Sequence, residues 1–228
     1  MQHLTSDIRT QAAFSIPDAA RYLPIAPGRL RSWVKGDAPL LATPAPGWLS
    51  FLNLVEAHVL AAIRSERIPL SRIRDSLDYL SRTFQLTHPL AEKAFQTDGV
   101  DLFVEHMGSL VNVSRGGQLA ARDLILAFLK RIDRDSAGLP VRLYPYTFSG
   151  IDETPAEDLR QRLDEAPRSI VIDPRISFGR PIIAGTGIAV DVLASRWKAG
   201  ERVRDLAEDY GIQEEQVEEA IRCELAAA

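Results

Sequence analysis

One cysteine, Cys223, is present in 228 residues, so no intramolecular disulfide can staple this chain. The four histidines, His3, His58, His88 and His106, fall at no metal-ligand spacing, and neither a metal nor a cofactor is expected. No apolar run approaches the ~20 residues that a membrane span needs. The opening MQHLTSDIRTQ lacks the charged and apolar blocks of a signal peptide, so a cytoplasmic protein with no membrane partner is expected. Catalytic phrases are missing too. GRPIIAGTG does not have phosphate-loop spacing and GxGxxG is absent. Asp173 precedes Pro174, where Asp commonly starts a turn, and Asp133 and Asp135 sit beside Arg131 and Arg134 as solvated charges do. No catalytic residue stands out, and the chain reads as non-enzymatic.

What is present is ordinary globular material, 46% hydrophobic and 25% charged, long enough for two or three modest cores. Its net charge of −4 is unevenly placed: residues 1–74 carry +4, residues 75–149 carry −1 and residues 150–228 carry −7. A basic front and an acidic back suggest different partners for the two ends.

In the front, Ser15, Ile16, Pro17 and Asp18 match a helix-capping box with Pro in the first turn, followed by Ile16, Ala19, Ala20 and Leu23 at helical spacing. The helix should stop near Pro24, and Pro27 can open a second whose Leu30, Trp33 and Val34 share one side. Arg29, Arg31, Ser32 and Lys35 then face solvent, the arrangement of a recognition helix that contacts DNA. Leu40–Thr43 and Trp48–Phe51 read as two strands of a wing around Pro44–Gly47, and Asn53 with Glu56 as the start of a helix through about Arg67. Through SIPDAARYLPIAPGRLRSWVKG this segment resembles the winged helix-turn-helix head of MerR-like regulators.

Leu70, Ile73, Leu77, Leu80 and Phe84 form a narrow seam that suits either a dimer contact or packing within the chain. Residues 97–114 alternate as a hairpin would, Gly117 and Gln118 lead into a helix, and Val141–Tyr144 reads as a returning strand. Phe148–Arg168 is polar and acidic and reads as a linker, with a T-x-x-E box at Thr154 able to start a short helix.

The most specific stretch is SIVIDPRISFGRPIIAGTGIAVDVL, Ser169 to Leu193: two β-branched runs separated by turn residues. Helical spacing follows through Leu193 and Trp197, with Gly200 as a stop. Val203, Leu206, Ala207 and Tyr210 form a second stripe ending at Gly211, and Val217, Ile221 and Leu225 a third. Glu214, Glu215, Glu218 and Glu219 are expected on the outer face of that third helix.

Ile172, Asp173, Pro174, Ile176, Gly179, Pro181, Ile183, Gly185, Thr186, Ile188, Gly200, Leu206, Tyr210 and Val217 resemble the small C-terminal domain, long of unknown function, of bacterial VapB-type antitoxins. The family often has Arg where Gly187 stands, so no role of that Arg carries over. HPLAEKAFQTDGVDLF and RLYP extend the resemblance to longer VapB-type antitoxins over nearly the whole chain.

The expected fold is α+β, mainly helical: a winged helix-turn-helix over 1–67, a central α+β or dimerisation domain over 68–147, a linker over 148–168, and a hairpin with three helices over 169–228. The resemblance implies the antitoxin of a type II pair. Its tail binds and silences a PIN-type ribonuclease, and its head binds operator DNA, as a homodimer or a toxin–antitoxin hetero-oligomer. Arg175, Phe178 and Arg180 are the candidate toxin contacts, the cations suited to masking the clustered carboxylates that hold Mg²⁺ in such a nuclease. Two other functions stay open: a MerR-like regulator with a small-molecule pocket in its middle domain and no toxin partner, and an interaction module that ignores DNA.

Overall fold

The computed structural model describes residues 7–23, 25–36, 39–65, 68–111, 115–148, 154 and 156–225. The chain is mainly helical, with small sheets. In order, its main elements are β1 (Phe14–Ser15), α1 (Ile16–Tyr22), α2 (Pro27–Val34), β2 (Trp48–Leu49), α3 (Phe51–Ser65), α4 (Leu70–Phe84), α5 (Val100–Val111), α6 (Arg115–Leu129), β3 (Ile132–Arg134), β4 (Pro140–Leu143), α7 (Ala156–Glu165), β5 (Ile170–Val171), β6 (Ile182–Ile183), α8 (Val190–Lys198), α9 (Val203–Tyr210) and α10 (Glu214–Leu225).

Two compact units form: Met1–Phe51 with Arg142–Ser149 and Pro167–Ala228, and Leu52–Val141 with Gly150–Ala166. They cut across the boundaries expected at 67, 147 and 168. The N-terminal helices and the C-terminal hairpin belong to one body.

In the first unit, α1 begins where its capping residues require. Ser15 Oγ accepts the Asp18 N–H at 3.2 Å, and Pro17 lies in the first turn. Ala19, Ala20 and Leu23 turn inward beside Leu30 and Trp33 of α2, both fully buried. Pro24, the expected helix stop, lies outside the described residues. The wing differs from expectation. Residues 40–43 form no strand; β2 pairs antiparallel with β1, Phe14 opposite Leu49 and Ser15 opposite Trp48. A strand preceding the first helix was there to be paired, and Pro44 and Pro46 lack the N–H groups that a tight ladder would use.

The tail hairpin pairs Ile170 with Ile183 and Val171 with Ile182. Leu143 and Ile172 exchange both backbone hydrogen bonds at 3.0 and 2.8 Å, adding the end of β4 as a third edge. Ile170, Ile183, Val190, Leu193, Ala220 and Cys223 make one core cluster; Leu206, Ala207, Val217 and Ile221 make another. Burial pushes the Cys223 thiol up to about 12. Glu214, Glu215 and Glu218 are exposed as expected, but Glu219 is buried, bonded to Thr147 and held by Arg222 at 2.7 Å. Leu225, expected inside, is 40% exposed.

The two ends of the chain meet on α1. The Phe14 ring packs edge-on to Tyr22, and its Cζ would lie 2.8 Å from a Cβ built on Gly179. Arg21 bridges Asp18 at 3.1 Å and Glu224 of α10 at 3.0 Å.

The second unit is organised on α3, which is buried on every side along most of its length, including Asn53, Glu56 and His58. Residues 97–111, expected as part of a hairpin, are helical: a π turn over Phe95–Gly99 runs into α5. Val100, Phe103, Val104 and Met107 are all buried, at i, i+3, i+4 and i+7, a helical period hidden under a short alternating run. Residues 112–114 lie outside the described residues. The seam of α4 is spent inside the unit, since Ile73, Leu77 and Leu80 are buried and α4 packs on α5. The expected linker contains α7, which lies on α6 with Leu159 and Leu163 buried, while Arg131 donates to the Ala166 carbonyl at 3.1 Å.

A polar cluster is enclosed here. His88 Nδ1 lies 2.9 Å from Glu56 Oε2, and Asn53 donates to the same oxygen at 3.3 Å. Burial raises the Glu56 carboxyl; the hydrogen bond to Glu56 raises His88.

Two outcomes are expected. Gly179→Ala should lower stability by ~1–3 kcal/mol, because the new Cβ meets Phe14 at a positive φ of 78°; an unchanged thermal midpoint would contradict the contact. With both pKa values of the Glu56–His88 pair raised, the folded state holds protons more tightly than the unfolded chain. The histidine contribution is complete below the unfolded value of ~6.5 and fades as pH rises through the folded one. Urea unfolding from pH 6 to 9 should therefore show declining stability that flattens in His88→Gln. An equal decline in both proteins would sink the assignment.

Candidate nucleic-acid and protein interfaces

Helix α2 turns Leu30 and Trp33 inward at 0% exposure, and this fixes what its other side shows. Arg31, Ser32 and Lys35 are exposed and Arg29 is half-buried. Ser32 donates its hydroxyl proton to the Arg29 carbonyl at 2.7 Å, so it presents lone pairs outward more readily than a donor. Lys35 follows the last helical residue with extended backbone, φ −101° and ψ 158°, and so leaves the helix axis. The four residues share one short element.

Arg175, Phe178 and Arg180 lie on the loop between β5 and β6, and here the backbone is unusual. Ser177, Phe178 and Gly179 have φ of 49°, 56° and 78° in succession. Only glycine occupies that region freely; a bulky residue there costs on the order of 1 kcal/mol or more. Four features hold the turn. Gly179 N–H donates to the Ile176 carbonyl at 2.9 Å, Arg180 N–H to Ser177 at 3.1 Å, and Gly179 closes against Phe14. Asp173, 1% exposed, supplies the fourth by accepting Arg175 N–H at 2.9 Å, Arg175 Nε at 3.0 Å, Arg175 Nη2 at 2.8 Å and Arg142 Nε at 3.3 Å. Burial would raise its carboxyl, but the Arg175 and Arg142 hydrogen bonds outweigh it and hold the group below the usual carboxylate range.

Phe178 projects from this braced turn with 91% of its surface exposed. The two arginines are not bare cations: Arg175 is clamped by Asp173, and Arg180 Nη1 lies 3.4 Å from Asp191 of α8. Ile176 and Val192 are 38% and 42% exposed. The sequence marks Ile176 only through the family resemblance and Val192 not at all, and in neither case as exposed, because burial of their neighbours decides which apolar residues remain outside. Asp173 was legible as a turn former but not as a clamp, since Arg142 lies 31 residues away.

Among the described residues, no group of three or more His, Cys, Asp and Glu could hold a metal ion, and no helix is long and apolar enough to cross a membrane. Because the folded Asp173 carboxyl is depressed, the stability that it brings is present above the unfolded value of ~4 and lost as pH falls through the folded one. Asp173→Asn should lower the thermal midpoint at pH 7 and leave a shallower acid limb; identical acid limbs would mean that the clamp contributes nothing.

Residues 170–222 match the family described as "Protein of unknown function (DUF433)". Along 91% of its length the chain is 27% identical to the Mycobacterium tuberculosis protein named "Putative antitoxin VapB45", covering 92% of that protein. It is 29% identical to the uncharacterized protein Rv2308 of the same organism, over 85% of this chain and 82% of that one. The crystal structure of Rv2018 from M. tuberculosis superposes with a TM-score of 0.70 at 25% identity, covering 92% of this chain and 98% of that one. The chain is thus antitoxin-like in sequence over nearly all of its length, with a DUF433 segment that contains the braced loop.

Proposed function

We propose that this chain is the antitoxin of a type II toxin–antitoxin pair, silencing a PIN-type ribonuclease through its 175–180 loop and repressing its own operon through α2. One observation carries the proposal. A chain similar over 91% of its length to a protein named "Putative antitoxin VapB45" builds, in one compact unit, both a cation-bearing helix and a braced loop that displays an aromatic side chain.

The DNA contact follows from charge and exposure. Arg29, Arg31 and Lys35 lie opposite the packing face of α2, with Ser32 between them, in the manner of a MerR-like head, and phosphate contacts would release counterions. The other short helical pair, α9 with α10, is a poor rival: Glu214, Glu215 and Glu218 face outward and would repel phosphate. One small helix gives few contacts, so two copies reading two half-sites suit the operator. Since the α4 seam is buried, that pairing uses another surface.

Fluorescence anisotropy with the DNA upstream of the gene tests the head. Arg31→Ala and Lys35→Ala should each reduce the slope of log K against log salt by about 1. Unaltered slopes would remove α2 from the interface. Co-expression with the nuclease of the adjoining reading frame tests the tail: the wild-type chain should bind it and restore growth, and absence of binding rejects the antitoxin assignment.

A further inference from the structure

We infer that Phe178 is the anchor of the toxin contact, and that it enters an apolar socket on the nuclease sized for one phenyl ring instead of accompanying an arginine into the metal-binding carboxylates. This rests on the antitoxin assignment and deepens it.

Three observations converge. First, the Phe178 ring contributes almost no burial to the fold: it is 91% exposed, far above the other exposed large hydrophobics among the described residues, which range from 38% to 58%. Second, it occupies a left-handed conformation, φ 56° and ψ 31°, that glycine would accept without strain. The fold sustains this strain with Gly179 closed on Phe14 and with the Asp173 clamp, so the ring is held out on a turn that is already ordered. A rigid aromatic loses little freedom on binding, and such side chains dominate interface energetics. Third, both flanking guanidiniums are engaged by carboxylates of their own chain, Arg175 at 2.8 Å and Arg180 at 3.4 Å. Entering an acidic metal site would break those pairs and bring Asp173 and Asp191 towards like charge.

The complementary surface is therefore a concave apolar pocket with a neutral, hydrogen-bonding rim. Nucleic acid is a poorer occupant, because the carboxylates of Asp173 and Asp191 flank the loop and oppose phosphate.

The full-length chain is titrated by calorimetry with the purified nuclease of the adjoining frame. Phe178→Ala should weaken binding by ~30-fold or more, while Arg180→Ala should change it by less than about threefold. The thermal midpoint of Phe178→Ala should match that of the wild type, because the ring buries almost no surface and alanine keeps the same Cβ in the left-handed turn. Wild-type binding with no loss in Phe178→Ala overturns the anchor while leaving the antitoxin assignment intact; no wild-type binding overturns both. A lowered midpoint would make Phe178 a folding residue. Sedimentation showing that Phe178→Ala dissociates a homodimer, or anisotropy showing that it alone weakens operator binding, would assign the ring to a second copy or to DNA and overturn the inference.

Discussion

Much of the first unit depends on a close approach between two residues 165 positions apart, the Phe14 ring and the bare Cα of Gly179. Phe14 opens the strand that pairs with β2 and leads into the Ser15 cap of α1, so its position is tied to the start of the first helix. Gly179 ends the turn that carries Phe178. Any side chain at 179 would enter space that the ring occupies. That contact makes the beginning and the end of the chain one packed body, reinforced where Arg21 reaches Glu224. Part of the tail's acidic surplus meets cations from elsewhere in the chain, Glu224 with Arg21 and Asp173 with Arg142, while Glu219 pairs with Arg222 and Asp173 with Arg175 inside the tail.

The picture of two ends with separate tasks changes accordingly. A cation-bearing helix and an aromatic loop remain distinct in chemistry, yet they are built on shared framework. The Phe14 ring packs edge-on to Tyr22 of α1 and lies against Gly179 at the base of the loop. In the second unit, a different device operates. Helix α3 is enclosed, and of the polar groups taken inside with it, Asn53 and Glu56 bond to one another and Glu56 to His88, while His58 Nε2 lies 3.2 Å from the Phe128 carbonyl. Unmatched, each would cost on the order of 1–3 kcal/mol.

Local signals were legible wherever a residue acts on its immediate neighbours. The Ser15 cap with Pro17, the Pro27 start of α2, the β5–β6 hairpin and the glycine after α9 are all found in place, because capping, fixed φ and positive φ operate over one to four residues. The misread elements were those where a short pattern supports two periods. Residues 97–111 alternate over a few positions yet bury Val100, Phe103, Val104 and Met107 on one helical face. The acidic stretch after 148 reads as a linker with at most a short helix from Thr154, because among its described residues up to Glu165 only Leu159 and Leu163 are buried, and that weak stripe becomes the ten-residue α7 once α6 covers it.

Sequence alone determined the helical character, the hairpin of the tail and the chemistry of both candidate surfaces: cations with a hydroxyl on α2, an aromatic between arginines on the loop. Only tertiary structure decided which strand β2 would pair with, that the α4 seam faces inward, that Glu219 is buried, and that Arg175 and Arg180 are already paired. The reason is range. Dihedral preferences and caps are set by adjacent atoms, whereas burial, ion pairing and strand partners depend on which distant segments arrive first at a limited apolar surface.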